Sequence, residues 1–327
     1  MALAALGGFG LPACERATQH DASPIEAARP VADTGVARSP AVLASAAASP
    51  AVAPSSTASA VSAAPSPTYP WLGENRKGTP PPVDDLASRF PTPTGLTRID
   101  EATGSFAAFL RTLPLAAAGT KVLSYSGGTV REGDDTRVAA AVAIDIGTAD
   151  LQQCADSVLR MHAEWRWARG DRDVSYRAAA GLEMPFSRWA RGDRPIAHGS
   201  SLAWGPRARP TEPDHGAFRR YLDDVFAWAN TGSIARDARK IELADLAPGD
   251  FFVLPGGPGH AVLVLDLARG EGGRRAVLLG QGFMPAQSFH VLRSKGSAWF
   301  PIDEGAGGID TPFWDPFPWS SLRRLAP

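Results

Sequence analysis

The chain has 327 residues, 44% of them hydrophobic and 20% charged, so it carries enough apolar surface to build a buried core. A formal net charge of −1 excludes the basic imbalance expected of a nucleic-acid binder or of a protein held by charge to an acidic lipid surface. No run of the sequence approaches the ~18 consecutive apolar residues that a transmembrane helix needs.

Residues 2–11 (Ala-Leu-Ala-Ala-Leu-Gly-Gly-Phe-Gly-Leu) are apolar, small and short, as the h-region of a signal peptide is. Leu11-Pro12-Ala13-Cys14 follows. This Leu-x-Ala-Cys resembles the lipobox of bacterial lipoproteins, and the resemblance implies an acylated Cys14 at a new N-terminus. Residues 1–14 are therefore read as a signal peptide with lipobox. Two features depart from the pattern. No Lys or Arg precedes the apolar run, consistent with a true start upstream of Met1, and Pro12 is unusual before the small residue. The competing reading is a plain apolar N-terminus with an incidental Cys14. Residues 15–70 are dominated by Ala, Ser, Pro, Val and Thr and have almost no aromatic surface. Ordering them would bury too little to offset the entropy lost, which predicts a disordered tether between membrane and domain.

Residues 71–327 suit one globular domain, with no second low-complexity break and no internal repeat. Residues 104–115 predict a short amphipathic helix ended by Pro114. Lys121–Tyr125 and Val138–Ile146 read as strands; the second is apolar except for Asp145, as a strand covered on both faces nearly would be. A helix is expected from near Asp150, with Gln153 as a capping-box partner. Leu151, Cys154, Val158, Met161 and Trp165 share its apolar face, Arg160, Glu164 and Arg166 lie largely off it, and Gly170 closes it. A Gly/Pro-rich irregular stretch (about 191–215) leads to a second amphipathic helix through Phe218, Tyr221, Leu222, Val225 and Phe226, stopping at Gly232. Strands then follow at 251–254, at 260–267, at 276–281 after a Gly-rich hairpin at 270–273, and at about 287–292. Helices before mainly antiparallel strands make an α+β layout.

Two cysteines occur, Cys14 and Cys154. If Cys14 is acylated, Cys154 has no intramolecular partner and is a leftover thiol in an exported protein. It sits in the first turn of its helix, where unpaired amides and the helix dipole favour thiolate. His260 follows the turn Gly256-Gly257-Pro258-Gly259 and opens a strand. Gln281 ends the next strand, where its amide can accept from the imidazole and hold its tautomer. With Arg269 opposite Arg274, Val262 faces Gln281, and His260 and Gln281 become diagonal neighbours on one face; a slip of one residue would separate them.

Cys at a helix start, then Gly-Asp-aromatic-aromatic, then Gly-His opening a strand, then a polar residue on the next strand resembles the NlpC-type, papain-like cysteine hydrolases of the cell envelope. That resemblance implies Cys154 as nucleophile, His260 as general base and Gln281 as orienter. It also implies a papain-like arrangement and peptidoglycan peptides as substrates. The usual signature has Asp directly before the Cys; here Gln152 and Gln153 precede it. A closer likeness covers nearly the whole domain. Leu151-Gln-Gln-Cys-Ala-Asp-Ser-Val, Gly259-His-Ala-Val-Leu-Val-Leu-Asp and Gln281-Gly-Phe-Met-Pro-Ala-Gln287 resemble a bacterial exported family described as a domain of unknown function, number 4846. That likeness implies location and fold and leaves the activity open.

Each candidate has a plainer alternative. Cys154 also fits the apolar stripe as a small core residue, His260 can be a satisfied turn residue, and Gln287 rivals Gln281 as third member. Asp266 lies six residues from His260, about 20 Å along a strand, too far to orient it. Asp156 and Glu164 read as surface charges or ion-pair partners. His162, His198, His215 and His290 show no metal-ligand spacing, so neither metal nor other cofactor is expected. The aromatic C-terminus (Phe313, Trp314, Phe317, Trp319) is expected to staple the chain end to the core, with a glycan-stacking platform as the sharper alternative. The expected function is an exported, periplasm-facing lipoprotein, membrane-bound through Cys14 and acting as a cysteine amidase or peptidase on cell-wall peptides. The alternative is a non-catalytic, envelope-anchored binding protein of the same fold.

Overall fold

The computed structural model describes residues 69–74, 76 and 78–327; the expected signal peptide, Cys14 and nearly all of the expected tether lie outside the described residues. Nine strands form one sheet: β1 (Leu96–Arg98), β2 (Val138–Ala141), β3 (Arg239–Lys240), β4 (Phe251–Leu254), β5 (His260–Gly270), β6 (Arg275–Gln281), β7 (His290–Leu292), β8 (Trp299–Pro301) and β9 (Leu322–Arg324). Their order is β3-β9-β4-β5-β6-β7-β2, with β8 beside the start of β6 and β1 beside the end of β5. Every pairing is antiparallel. With the helices α1 (Phe106–Arg111), α2 (Cys154–Ala168), α3 (His215–Trp228) and α4 (Thr231–Asp237), this makes an α+β domain.

The centre of the sheet is β5, buried without interruption from His260 to Ala268. Its two faces feed different cores. Ala261, Leu263 and Leu265 pack with Phe109 and Leu110 of α1 and with Ala155, Val158, Met161 and Trp165 of α2. Val262, Val264 and Leu267 pack with Phe252, Leu279 and Phe317 on the other side. That second face is closed by a hairpin of Gly308–Thr311 and Trp314–Pro318. The strand pattern supplies this division, because alternate residues point to opposite faces.

Helix α2 departs from a simple amphipathic surface helix. Its apolar stripe meets the sheet as expected, but Leu159, Ala163 and Trp167 on another side pack against Phe218, Tyr221, Leu222 and Val225 of α3. Both flanks of α2 are therefore covered. Arg160 and Glu164, expected off the apolar face, are fully buried and bonded to each other at 2.8 Å. Arg160 Nη2 also donates to Asp145 at 2.7 Å, and Arg219 of α3 donates to the same carboxylate at 3.0 Å. These two guanidiniums hold Asp145, and sheet pairing with β7 ends at Ala141, short of the strand end expected at Ile146.

The helix also begins later than expected, at Cys154. Gln153 is the N-cap, and its amide donates to Asp156 Oδ2 at 3.2 Å. Asp150 stands outside the helix, where its Oδ1 accepts from Gln153 Nε2 at 3.0 Å and from the amide of Ala286 at 2.6 Å. It thereby ties the helix start to the loop after β6. Two further elements depart from expectation. Helix α3 ends at Trp228, and Asn230 caps the separate helix α4. The stretch expected to be irregular holds a hairpin of Asp193–His198 and Ser201–Pro206.

Candidate functional site

Cys154 is the first helical residue of α2, so its amide has no intrahelical partner. Its Sγ lies 3.9 Å from the carbonyl oxygen of Gly259, with the amide of Ala261 also close. The sulfur therefore sits against the backbone on either side of His260. Gly259 is required at this crossing: a Cβ there would lie 2.4 Å from Thr231 Oγ1 and 2.6 Å from the Leu254 carbonyl oxygen. The thiol is buried and free, and burial, with the Asp156 carboxylate adding to it, pushes it up to about 12. Helix-end amides act in the opposite direction, but desolvation outweighs them. The resting sulfur is a thiol at neutral pH.

Gly282 sets how closely the loop after β6 approaches α2. A Cβ on Gly282 would lie 2.1 Å from Ser157 Oγ and 2.9 Å from the Gln153 carbonyl oxygen, which themselves bond at 2.6 Å. Gly282→Ala is expected to destabilise the domain by about 1–3 kcal/mol, because the Ser157 hydroxyl would have to give up its bond to Gln153 and the Gln153 carbonyl cannot move without shifting the start of α2. The midpoint of urea unfolding measures this directly.

His260 and Gln281 come together. Imidazole Nε2 lies 2.8 Å from Gln281 Oε1, and both residues are fully buried. The register that achieves this differs in one step from the expected one. The hairpin closes with Arg269 opposite Arg275, one residue later than expected, and a bulge between Val264 and Asp266 restores the count. Leu263 then pairs with Gly280, which places Val262 opposite Gln281 as the sequence predicts. Burial pulls His260 down to about 4, against the stabilising bond from Gln281, so the ring is neutral at neutral pH. Its Nδ1 is buried with no hydrogen-bond partner. No hydrogen bond joins Cys154 to His260 among the described residues; the thiol's contact is the Gly259 carbonyl.

Aromatic rings close over the imidazole. Phe283 and Trp314 each lie 4.8 Å from it, and Phe317 lies 6.0 Å away. The C-terminal aromatic segment therefore packs on the candidate base itself.

Gln287, the rival third member, is buried but does not bond His260, and its Oε1 has no partner. Asp266 is held by Arg98 and Arg111 at 2.5 and 3.0 Å, an ion-pair role at the far end of β5. Asp156 and Glu164, read as surface charges or ion-pair partners, are both buried; Glu164 is an ion-pair partner, and Asp156 serves the helix cap. Among the described residues no group of three or more His, Cys, Asp or Glu could hold a metal ion, and no helix is long and apolar enough to cross a membrane. A separate cavity of about 270 Å³ lies between α2, α4 and the chain end, lined by His162, Arg166, Tyr176, Arg177, Ser233 and Leu325. His162 Nδ1 bonds Tyr176 Oη at 2.9 Å, and its Nε2 is unpartnered. Its spacing from other ligating residues excluded a metal but carried no sign of this cavity.

His290 belongs to the site, although its sequence spacing speaks only against a metal. It stands directly opposite Gln281 in the β6–β7 pair, so the two side chains share a face. Its signal is its place in the strand after Gln281, which becomes legible only once the register is known.

The family model described as a domain of unknown function (4846) matches residues 86–324 and takes in Cys154, His260 and Gln281. No curated protein and no solved structure matches the chain. The match spans most of the chain, including the central sheet and helices α1 to α4, and the protein belongs to the family described as domain of unknown function (4846).

Proposed function

We propose that the domain is a cysteine hydrolase of papain-like, NlpC-type arrangement that cleaves amide bonds in cell-wall peptides outside the cytoplasm. In this reading Cys14 carries a lipid anchor and residues 15–70 give the domain reach from the membrane. The observation that carries the proposal is the His260 Nε2–Gln281 Oε1 bond at 2.8 Å. It holds the imidazole with Nδ1 unpartnered, while Cys154 Sγ lies against the backbone flanking the same residue. The chemistry follows from these positions. In this reading the His260 ring, which packs with Trp314 and Phe317 on the face of the sheet away from α2, comes within reach of Cys154 as a peptide carbonyl approaches. Sγ then attacks the carbonyl carbon and the thiol proton passes to His260 Nδ1. The oxyanion is met by the amide of Cys154, which has no intrahelical partner. His260 returns the proton to the leaving amine, and the thioester that remains is hydrolysed by a water that His260 deprotonates.

The resting pair is a neutral thiol beside a neutral imidazole, covered by Phe283 and Trp314. Turnover in this reading therefore includes displacement of that aromatic cover. The test is incubation of the full chain with purified cell-wall peptides, read by mass spectrometry, together with iodoacetamide labelling of native protein. Cleavage that disappears in Cys154→Ala, with native labelling slowed by His260→Ala, is expected. No cleavage, with Cys154 labelled only after denaturation, would overturn the enzyme reading.

A second reading, a non-catalytic binding protein, is favoured by the cavity of about 270 Å³ beside His162, which includes none of Cys154, His260 and Gln281. Retention of cell-wall peptides without cleavage, lost on His162→Phe, would support it.

A further inference from the structure

Three buried side chains form one line across β5, β6 and β7. His290 Nδ1 lies 2.9 Å from the carbonyl oxygen of Ser288. His290 Nε2 lies 3.4 Å from Gln281 Nε2, and Gln281 Oε1 lies 2.8 Å from His260 Nε2. The direction of every bond in this line follows from its one fixed end. A backbone carbonyl only accepts, so His290 Nδ1 carries a proton and donates it. Burial pulls His290 down to about 4, with the charge of Arg131 adding to it, so the ring carries one proton only. Its Nε2 is then a bare acceptor, and the group facing it must donate. That group is the NH₂ of Gln281, which turns the carboxamide oxygen towards His260. His260 Nε2 must in turn carry the ring proton, and Nδ1 is left as the lone pair.

We infer that His290 is a positioning residue: it sets the orientation of the Gln281 carboxamide, and through it the Nε2–H tautomer that leaves His260 Nδ1 free to act as a base. Without His290 the carboxamide could present either its oxygen or its NH₂ to His260. The wrong face would move the proton to Nδ1 and remove the basic atom. The catalytic meaning of this relay rests on the hydrolase reading above; the tautomer itself does not.

The experiment is long-range ¹⁵N–¹H correlation NMR of the histidine rings in the ¹⁵N-labelled full chain at neutral pH. The wild type is expected to show His260 protonated at Nε2 and bare at Nδ1, and His290 protonated at Nδ1. In His290→Phe the His260 signals are expected to become a mixture of both tautomers. Any hydrolysis should fall in kcat on the order of tenfold, the scale seen when outer-sphere partners of a functional group are removed, with KM little changed. His290→Gln can accept from Gln281 while donating to Ser288, and is expected to restore the single tautomer. A wild-type His260 protonated at Nδ1, or an unchanged Nε2–H tautomer in His290→Phe, would overturn the inference. If His290→Phe does not fold, the wild-type and His290→Gln spectra still decide. A protein with the expected tautomers and no hydrolysis leaves the relay standing and ends the enzyme reading; hydrolysis with unaltered tautomers does the reverse.

Discussion

Asp145→Ala is expected to lower the stability of the domain by about 3–5 kcal/mol, the cost of removing one partner from a buried ion pair. Asp145 accepts from Arg160 at 2.7 Å and from Arg219 at 3.0 Å, and both guanidiniums are buried. Removing the carboxylate leaves two positive charges facing each other between α2 and α3, with Glu164 and Asp223 as remaining partners. Urea unfolding at neutral pH reads the loss, and a difference below about 1 kcal/mol, the scale of an exposed pair, would show that water reaches this cluster.

The same cluster predicts the pH dependence of stability. Burial would raise the Asp145 and Glu164 carboxyls, but the neighbouring cations outweigh it and hold both below the usual carboxylate range. A group with a depressed folded pKa contributes fully above its unfolded value, about 4, and loses that contribution as the pH falls. His215 runs the other way. Its Nδ1 lies 2.7 Å from Glu74 and its Nε2 2.8 Å from Glu164, so both nitrogens donate and the ring is charged. Burial would lower it, but the two carboxylates raise it above its ordinary value. Its contribution is complete below about 6.5 and fades as the pH rises through the folded value. Taken alone these groups favour the range between about pH 4 and 6.5, but His162, His260 and His290 oppose them. Burial holds all three below the ordinary imidazole value, so their unfolded forms take up protons below about 6.5 that the folded forms refuse. Stability is therefore expected to fall as the pH drops from about 6.5 towards 4 and further below it, with a flatter limb below about 4 in Asp145→Ala.

The second large effect is on activity. In the hydrolase reading, Cys154→Ala and His260→Ala each reduce cleavage on the order of 10⁴-fold or more, and the double variant loses little further, because nucleophile and base act as one unit. Cys154→Ala is expected to unfold at nearly the wild-type urea concentration, since it removes a single buried atom. The pH–rate profile carries a sharper mark. The base must be unprotonated, and burial pulls His260 down to about 4. The rate is expected to fall as the pH drops through about 4, well below the ordinary imidazole value of about 6.5. An acid limb near 6.5 would show that His260 is solvated when it acts.

Much of the layout was legible in the chain. The apolar run of β5, the Gly-rich turn after it and the alternation in β6 placed the hairpin. The 3.6-residue periodicity of Val158, Met161 and Trp165 placed α2 against the sheet. The pairing of His260 with Gln281 was legible for a reason of parity. Strand side chains alternate with a period of two, so two residues on adjacent strands share a face or do not, and the count from the turn decides. That count was one residue off at the turn, and the bulge near Leu265, invisible in the sequence, corrected it.

What the sequence determined by itself is local: where strands and helices fall, which face of each is apolar, and that Cys154, His260 and Gln281 stand at element ends. The tertiary structure alone decided which faces meet. Arg160 and Glu164 read as lying off the apolar face, and Glu164 as a surface charge or ion-pair partner, because periodicity reports the apolar side of a helix and is silent about what covers the other. The arrival of α3 buried them, and Asp145, itself held by Arg219, satisfied Arg160 while His215 satisfied Glu164. In the same way Trp314 came to cover His260 from more than fifty residues away, and His290 reached Gln281 across a strand pair whose register no local pattern specifies. Burial of a polar group depends on partners brought from elsewhere in the chain, and that information exists only once the chain has folded.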